Sequence, residues 1–199
     1  GREVSIDEAV YRSESETGFP NSRITWMLKN FGIIDGEPMA ALENYFRQCS
    51  VLVTARDLAI MAATLANGGT CPLTGEVALE RRHVPRVLSV MATCGMYDYA
   101  GEWLYRIGMP SKSGVGGGII GVLPGQMAIA VFSPPLDSRG NSVRGIRVFN
   151  DLSEDFGLHL LRGNRVATYV IRRRYDAAAV GSKRVGRAAE RRGPGGHGP

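Results

Sequence analysis

Residues 94–118 read CGMYDYAGEWLYRIGMPSKSGVGGG. Pro110 fixes its own φ and leads into Lys112-Ser113-Gly114. Behind them Gly116-Gly117-Gly118 let backbone amides approach a ligand with no Cβ in the way. The segment reads as a strand edge able to bind an oxyanion. From Gly118 onward the chain is sheet-forming: residues 118–123 (GIIGVL) and 126–132 (QMAIAVF) are apolar runs separated by Pro124-Gly125, the signature of two adjacent antiparallel strands in a β-hairpin. Ser133-Pro134-Pro135-Leu136-Asp137 reads as a rigid loop. Residues 141–161 carry Val143, Ile146, Val148, Phe149 and Leu152 at spacings that predict a helix returning across the sheet.

Before Cys94 the chain is helical in character. Ile24, Met27, Leu28 and Phe31 recur at helical spacing up to Gly32, and Met39, Leu42, Tyr45 and Phe46 form a second apolar stripe before Cys49. Thr54 is a good N-cap with Asp57 three residues on, and residues 58–66 are apolar nearly all round before Asn67-Gly68-Gly69, which predicts a buried helix. Val87, Leu88, Val90 and Met91 predict another helix running toward Cys94.

Lys-Ser-Gly on a strand is one signature of serine hydrolases with the penicillin-binding, β-lactamase-like fold, where a cation and a hydroxyl face the nucleophile. Five longer words accompany it: SESETG at 13–18, AATLANGG at 62–69, CPLTGE at 71–76, CGMYD at 94–98 and SPPLDSRGNSVRG at 133–145. Together, in this order, they resemble the serine-dependent glutaminase family over roughly residues 1–161. The resemblance implies an α+β fold of β-lactamase/transpeptidase type, an antiparallel sheet flanked by helices, with the N-terminal part missing. The family's catalytic domain is about twice as long, and its nucleophile lies in a Ser-x-x-Lys motif upstream of the SESETG segment. No serine here, from Ser5 to Ser182, is followed by a lysine three residues later. The chain, which opens at Gly1, is therefore expected to be the C-terminal half of the domain. It is expected to lack the nucleophile, its lysine and an upstream substrate-binding asparagine, and to expose a sheet edge open to pairing.

The implied reaction is hydrolysis of L-glutamine to L-glutamate and ammonia through a serine acyl-enzyme. It needs an activated nucleophile, an oxyanion hole and groups that grip the amino acid's two charged ends. By resemblance, Glu14 and Asn21 hold the substrate head group, Tyr45 contacts the substrate, Tyr97 contacts it and shuttles the proton, and Val115 lends its N–H to the oxyanion hole. A phenol whose ordinary pKa is about 10 is a poor base at neutral pH, so Tyr97 needs a nearby cation, such as the family's missing lysine or Lys112. Each residue also has a plain reading. Glu14 serves as a surface helix-cap carboxylate, Asn21 as a turn residue, Tyr45 and Tyr97 as core-edge aromatics, Lys112 as a solvated charge and Gly116–Gly118 as a loop or bulge. It is their joint occurrence in family order that favours the site. His83, His159 and His197 have neither metal-ligand spacing nor a serine partner and are assigned no role; the resemblance implies that no metal and no organic cofactor is needed.

Composition agrees with one globular domain: 199 residues, 44% hydrophobic, can bury a core. The net charge of +5 is misleading. Eight basic residues from Arg172 onward against Asp176 and Glu190 give +6, leaving −1 for the rest, so nucleic-acid binding is not indicated. The expected organisation is the catalytic half-domain over 1–162, a basic, partly helical connector over 163–190 and a disordered tail over 191–199, whose RRGPGGHGP cannot pack a core. Three cysteines without a C-x-x-C pair suggest a reducing, cytoplasmic setting, and no apolar run approaches the ~18 residues of a membrane span. By resemblance the protein is a homo-oligomer, a dimer or tetramer. Two other readings stay open: another serine hydrolase of the same fold, or a non-catalytic truncated fragment or pseudoenzyme.

Overall fold

The computed structural model describes residues 3–162; the predicted connector over 163–190 and tail over 191–199 lie outside the described residues. The chain divides into two compact units, residues 1–60 and 61–199, with the boundary inside a helix.

The first unit is helical. Asp7 caps α1 (Glu8–Thr17) by accepting from the N–H groups of Ala9 and Val10. α2 (Phe19–Asn30) carries Pro20 in its first turn, where a missing N–H costs nothing. α3 (Pro38–Cys49) turns Leu42 and Phe46 inward, while Met39 and Tyr45 of the predicted stripe stay exposed. The Ile6–Val51 bridge and the Asp7 N–H to Ser50 carbonyl bond join the strand-like ends of the unit. Two readings change here. SESET lies within α1 and Gly18 caps its end, so Glu14 is inside the helix and Asp7 is the N-cap; Asn21 is in the first turn of α2 and not in a connecting turn. In α2 the helix starts at the Pro signal, earlier than the apolar spacing from Ile24 does, and α1 starts at its Asp7 cap.

α4 (Ala55–Ala66) begins with the expected cap: the Thr54 hydroxyl accepts from Asp57 N–H at 3.2 Å and the Asp57 carboxylate accepts from Thr54 N–H at 2.8 Å. Over residues 58–66 it is buried or half-buried on nearly every side, with Ala62, Thr64 and Ala66 buried and Met61 the exception at 56% exposed.

The second unit holds the sheet. β1 (Ser111–Ser113), β2 (Gly118–Leu123) and β3 (Met127–Phe132) are antiparallel in the order β1-β2-β3, with Lys112 opposite Ile120 and Ile120 opposite Ala130. The predicted hairpin is β2–β3. The strand alternation sends side chains to two cores. Ile119 and Leu123 join Met96, Trp103, Ile107, Met109, Phe149 and Leu158 on one face, where α6 (Ala100–Arg106) and α7 (Val143–Phe156) lie. Val122 and Ile120 join Ala62, Ala66 and, from α5 (Val84–Cys94), Leu88 and Met91 on the other. The sheet is thus helix-covered on both faces, as the α+β reading requires. Burying one side chain such as Phe149 is worth about 1.5–3 kcal/mol.

The helix α6 and the 3-10 turn before it (Tyr97–Tyr99) were not predicted. Their aromatic-rich sequence YDYAGEWLYR has no clean apolar stripe: Trp103 is buried and bonds the Met109 carbonyl through its indole N–H at 3.0 Å, whereas Tyr105 is 78% exposed. The returning helix begins after Ser142, whose hydroxyl caps Gly145 N–H, and ends at Gly157.

Candidate active site

The predicted site residues fall into two groups, one in each unit. In the first, Glu14 and Asn21 are half-buried on α1 and α2, and Tyr45 is 48% exposed on α3 with its ring 5.9 Å from that of Phe46. A groove of about 470 Å³ opens among these helices, lined by Tyr11, Ser15, Phe19, Met39, Glu43 and Phe46; none of Glu14, Asn21 and Tyr45 lines it.

In the second unit the tyrosine and the lysine of residues 94–118 fold side by side. After α5 ends at Cys94, the chain at Gly95 lies directly on β1: Ser113 N–H donates to the Gly95 carbonyl at 3.0 Å, and a Cβ on Gly95 would fall on the Ser111 carbonyl oxygen. Two residues later Tyr97 has φ +52°, alone among the described non-glycine residues in having positive φ. Such a conformation costs of order 1–3 kcal/mol and persists only where the surroundings impose it. Its ring is 42% exposed, and the Lys112 ammonium stands 4.9 Å from the ring centroid while also donating to the Ser113 carbonyl. A cation over a partly exposed ring contributes about 0.5–1 kcal/mol.

Val115 sits at the tip of the β1–β2 turn, which closes through Gly114 N–H to Gly118 carbonyl and Gly117 N–H to Gly114 carbonyl, both 2.9 Å, with Gly117 at φ +94°. The residue is 64% exposed, and among the described residues no acceptor takes its N–H. The open side of Gly140 faces both groups: a Cβ there would stand 3.7 Å from the Tyr97 ring and 3.8 Å from Val115 Cγ1. Tyr97 thus lies beside the Lys112 ammonium on one side and near the Val115 side chain across Gly140 on the other, and all three residues are exposed.

The hydroxyls of β1 do not accompany Lys112. On the pleated strand Lys112 points out while Ser111 and Ser113 point in, 0% and 2% exposed. Ser111 donates to the Met109 carbonyl at 3.1 Å and Ser113 to the Asn141 side-chain oxygen at 2.6 Å. The lysine and the two hydroxyls of β1 therefore lie on opposite faces of the strand.

The loop opposite, DSRGN, carries no residue singled out from the sequence. Asp137 organises it, accepting at 2.9 Å from the N–H groups of Arg139 and Asn141. Arg139 bonds Glu102 at 3.1 Å and lies over the Tyr99 ring, whose phenol is pushed up first by burial and then by the Glu102 charge. The D-x-x-G-N spacing is a turn signal that would have found this loop. Among the described residues no His, Cys, Asp and Glu group can hold a metal ion, and no helix is long and apolar enough to cross a membrane.

Known proteins resemble this chain closely. The glutaminase family model matches residues 1–161. Glutaminase 1 of Bradyrhizobium diazoefficiens is 52% identical over 191 residues, 96% of this chain and 31% of that protein; the glutaminase of Trichormus variabilis is 56% identical over 160 residues, 80% and 48%. Among solved structures, Mglu superposes with a TM-score of 0.77 at 47% identity over 83% of this chain and 42% of that one. The Bacillus subtilis glutaminase YbgJ, solved as a covalent complex with 5-oxo-L-norleucine, gives 0.76 at 30% identity over 81% and 58%. The chain thus spans about a third to three fifths of the length of these relatives. With a family match across four fifths of its residues, the chain belongs to the glutaminase family.

Proposed function

We propose that this chain takes part in the hydrolysis of L-glutamine to L-glutamate and ammonia, supplying the proton-handling and oxyanion-binding side of the site and needing a nucleophile that its own residues do not provide. The observation that carries the reading is that Tyr97 lies beside Lys112 and near Val115, with all three exposed. In this reading Tyr97 passes the proton between the attacking hydroxyl and the departing ammonia. Lys112 favours the phenolate by its charge, and Val115 N–H binds the oxyanion of the tetrahedral intermediate. Glu14 pairs with the substrate ammonium, Asn21 hydrogen-bonds its head group and Tyr45 packs against it. No step calls for a metal or organic cofactor.

The nucleophile is placed outside these residues for two reasons. The sequence holds no Ser-x-x-Lys, and the β1 hydroxyls beside Lys112 are committed to bonds on the inner face. The same inward bonds weigh against a different serine hydrolase that would use Ser111 or Ser113. Unpaired cysteines fit a cytoplasmic setting, and assembly as a dimer or tetramer goes with the family reading.

The test is ammonia release from L-glutamine by the purified chain, with serine adducts of 6-diazo-5-oxo-L-norleucine sought in parallel by peptide mass spectrometry. The expected result is no ammonia above a buffer control and no labelled serine, while L-glutamate shifts the amide resonances of Tyr97 and Val115. Turnover, or a labelled serine, would put a nucleophile inside this chain and overturn the division of labour. Unmoved resonances in saturating L-glutamate would overturn the assignment of the site.

A further inference from the structure

One fully buried polar side chain in the second unit links the neighbour of Lys112 on β1 to the residue before Tyr97. Asn141 is 0% exposed. Its side-chain oxygen accepts from the Ser113 hydroxyl at 2.6 Å, and its Nδ2 donates to the Met96 carbonyl at 3.4 Å. Its backbone is tied at both ends to Asp137, through N–H to the carboxylate at 2.9 Å and through the carbonyl to Asp137 N–H at 2.8 Å.

We propose that Asn141 is a positioning residue for Tyr97: it joins the serine of the Lys-Ser-Gly strand to the carbonyl preceding the tyrosine, and so sets the ring that Lys112 covers. The catalytic meaning of this brace rests on the role proposed above for Tyr97; the brace itself is geometry.

The chemistry singles out a carboxamide. A buried polar group is tolerated only when its bonds are made, and an apolar side chain of similar volume would fill the space at no such cost. Retaining an amide makes sense if both of its ends are used. The Met96 carbonyl can only accept, which fixes Nδ2 toward it and leaves the oxygen for Ser113. A carboxylate could take the hydroxyl but could not donate to Met96; a hydroxyl is too short to span both. The anchored carbonyl belongs to the residue just before the single described non-glycine residue of positive φ, where some outside restraint has to hold the backbone. Met96 is itself 1% exposed in the core and its carbonyl also accepts from Tyr99 N–H at 3.1 Å, so the turn is gripped at that one oxygen from two directions. This also gives the Lys-Ser-Gly serine a function in this chain. Its hydroxyl acts through Asn141 on the tyrosine turn, not on substrate.

The experiment uses the full chain labelled with 3-fluorotyrosine. Of its seven tyrosines, the Tyr97 ¹⁹F resonance is assigned by its loss in Tyr97→Phe. Three variants are compared below their melting temperatures: Asn141→Ala, Asn141→Asp and Ser113→Ala. Asn141→Ala and Asn141→Asp should each carry the Tyr97 line most of the way toward free 3-fluorotyrosine, because both lose the donor to Met96. Ser113→Ala should move it less and in the same direction. The other tyrosine lines should stay in place. A purely structural asparagine would lower Tm and leave the Tyr97 line where it was, and that result overturns the proposal. Should Asn141→Ala fail to fold, the near-isosteric Asn141→Asp decides by the same line. The readout is a resonance of the resting protein, so failure of the glutaminase reading would appear in the ammonia and glutamate experiments and leave this one interpretable.

Discussion

Cys71 opens the CPLTGE segment and is partly exposed, yet its thiol is pulled down from 9.0 to about 7. The causes are hydrogen bonds to sulfur, first from the Thr74 side chain, then from the N–H groups of Thr74 and Leu73. The Thr74 hydroxyl has a single proton and also stands 3.2 Å from the Glu76 carboxylate, so the two backbone donors, which have no such competitor, are the steadier support for a thiolate. Thiolate is the reactive form. Alkylation of Cys71 by iodoacetamide, followed by peptide mass spectrometry, should therefore rise through a midpoint near pH 7. A midpoint at the ordinary thiol value would remove the turn's influence. Because folding holds this thiol below its usual value, the linked stabilisation is complete above pH 9.0 and is lost as the pH falls through about 7.

The CGMYD turn and β1 behave as one element, because the backbone of Gly95 lies against that of Ser111 with no room for a side chain. Gly95 has φ −70°, which alanine adopts freely, so Gly95→Ala isolates the close approach from any backbone effect. The methyl would meet a carbonyl oxygen of a paired strand, which cannot rotate away as a side-chain tip would. The expected loss is at the upper end for overpacking, about 3 kcal/mol, read as a Tm lower by roughly 6–12 °C. An unchanged Tm would mean that the turn lifts off β1 at little cost. The same contact explains how much of this region was legible. The β2–β3 hairpin, α3, α5 and α7 were readable because apolar period and turn residues agree along each segment. The words CGMYD and Lys-Ser-Gly pointed to a tyrosine and a lysine that do fold together. What could not be read was tertiary. α6 comes after a sharp aromatic-rich turn with no regular stripe, and the inward aim of Ser113 is set by the pleat of β1 and by a partner 28 residues away. Asn141 was legible only as the start of the returning helical stretch, because nothing local marks it as buried.

At the scale of the whole molecule the apolar contacts are unevenly distributed. Both core clusters are built from residues 62 onward, around Trp103 and Phe149 on one face of the sheet and Leu88, Met91 and Val122 on the other. In residues 3–60 the large apolar side chains that are buried are Leu42 and Phe46, while Phe19, Phe31 and Ile33 are 68%, 70% and 66% exposed. Opening free energy tracks buried apolar contact, so a unit with a sparse core of its own opens at lower cost. Native-state hydrogen exchange should then find two tiers. The amides of α3 should exchange through local opening at least an order of magnitude faster than those of β2 and α7, and with a smaller denaturant dependence. The alternative outcome is a single tier, with the slowest amides of α3 and β2 opening at one free energy that falls with denaturant at the global slope. It would mean that residues 3–60 draw stability from cooperative coupling and not from their own sparse core. Phe46→Ala tells the two cases apart: with separate tiers it lowers protection in α1, α2 and α3 and leaves β2 untouched, whereas in a coupled chain every slow amide loses protection together.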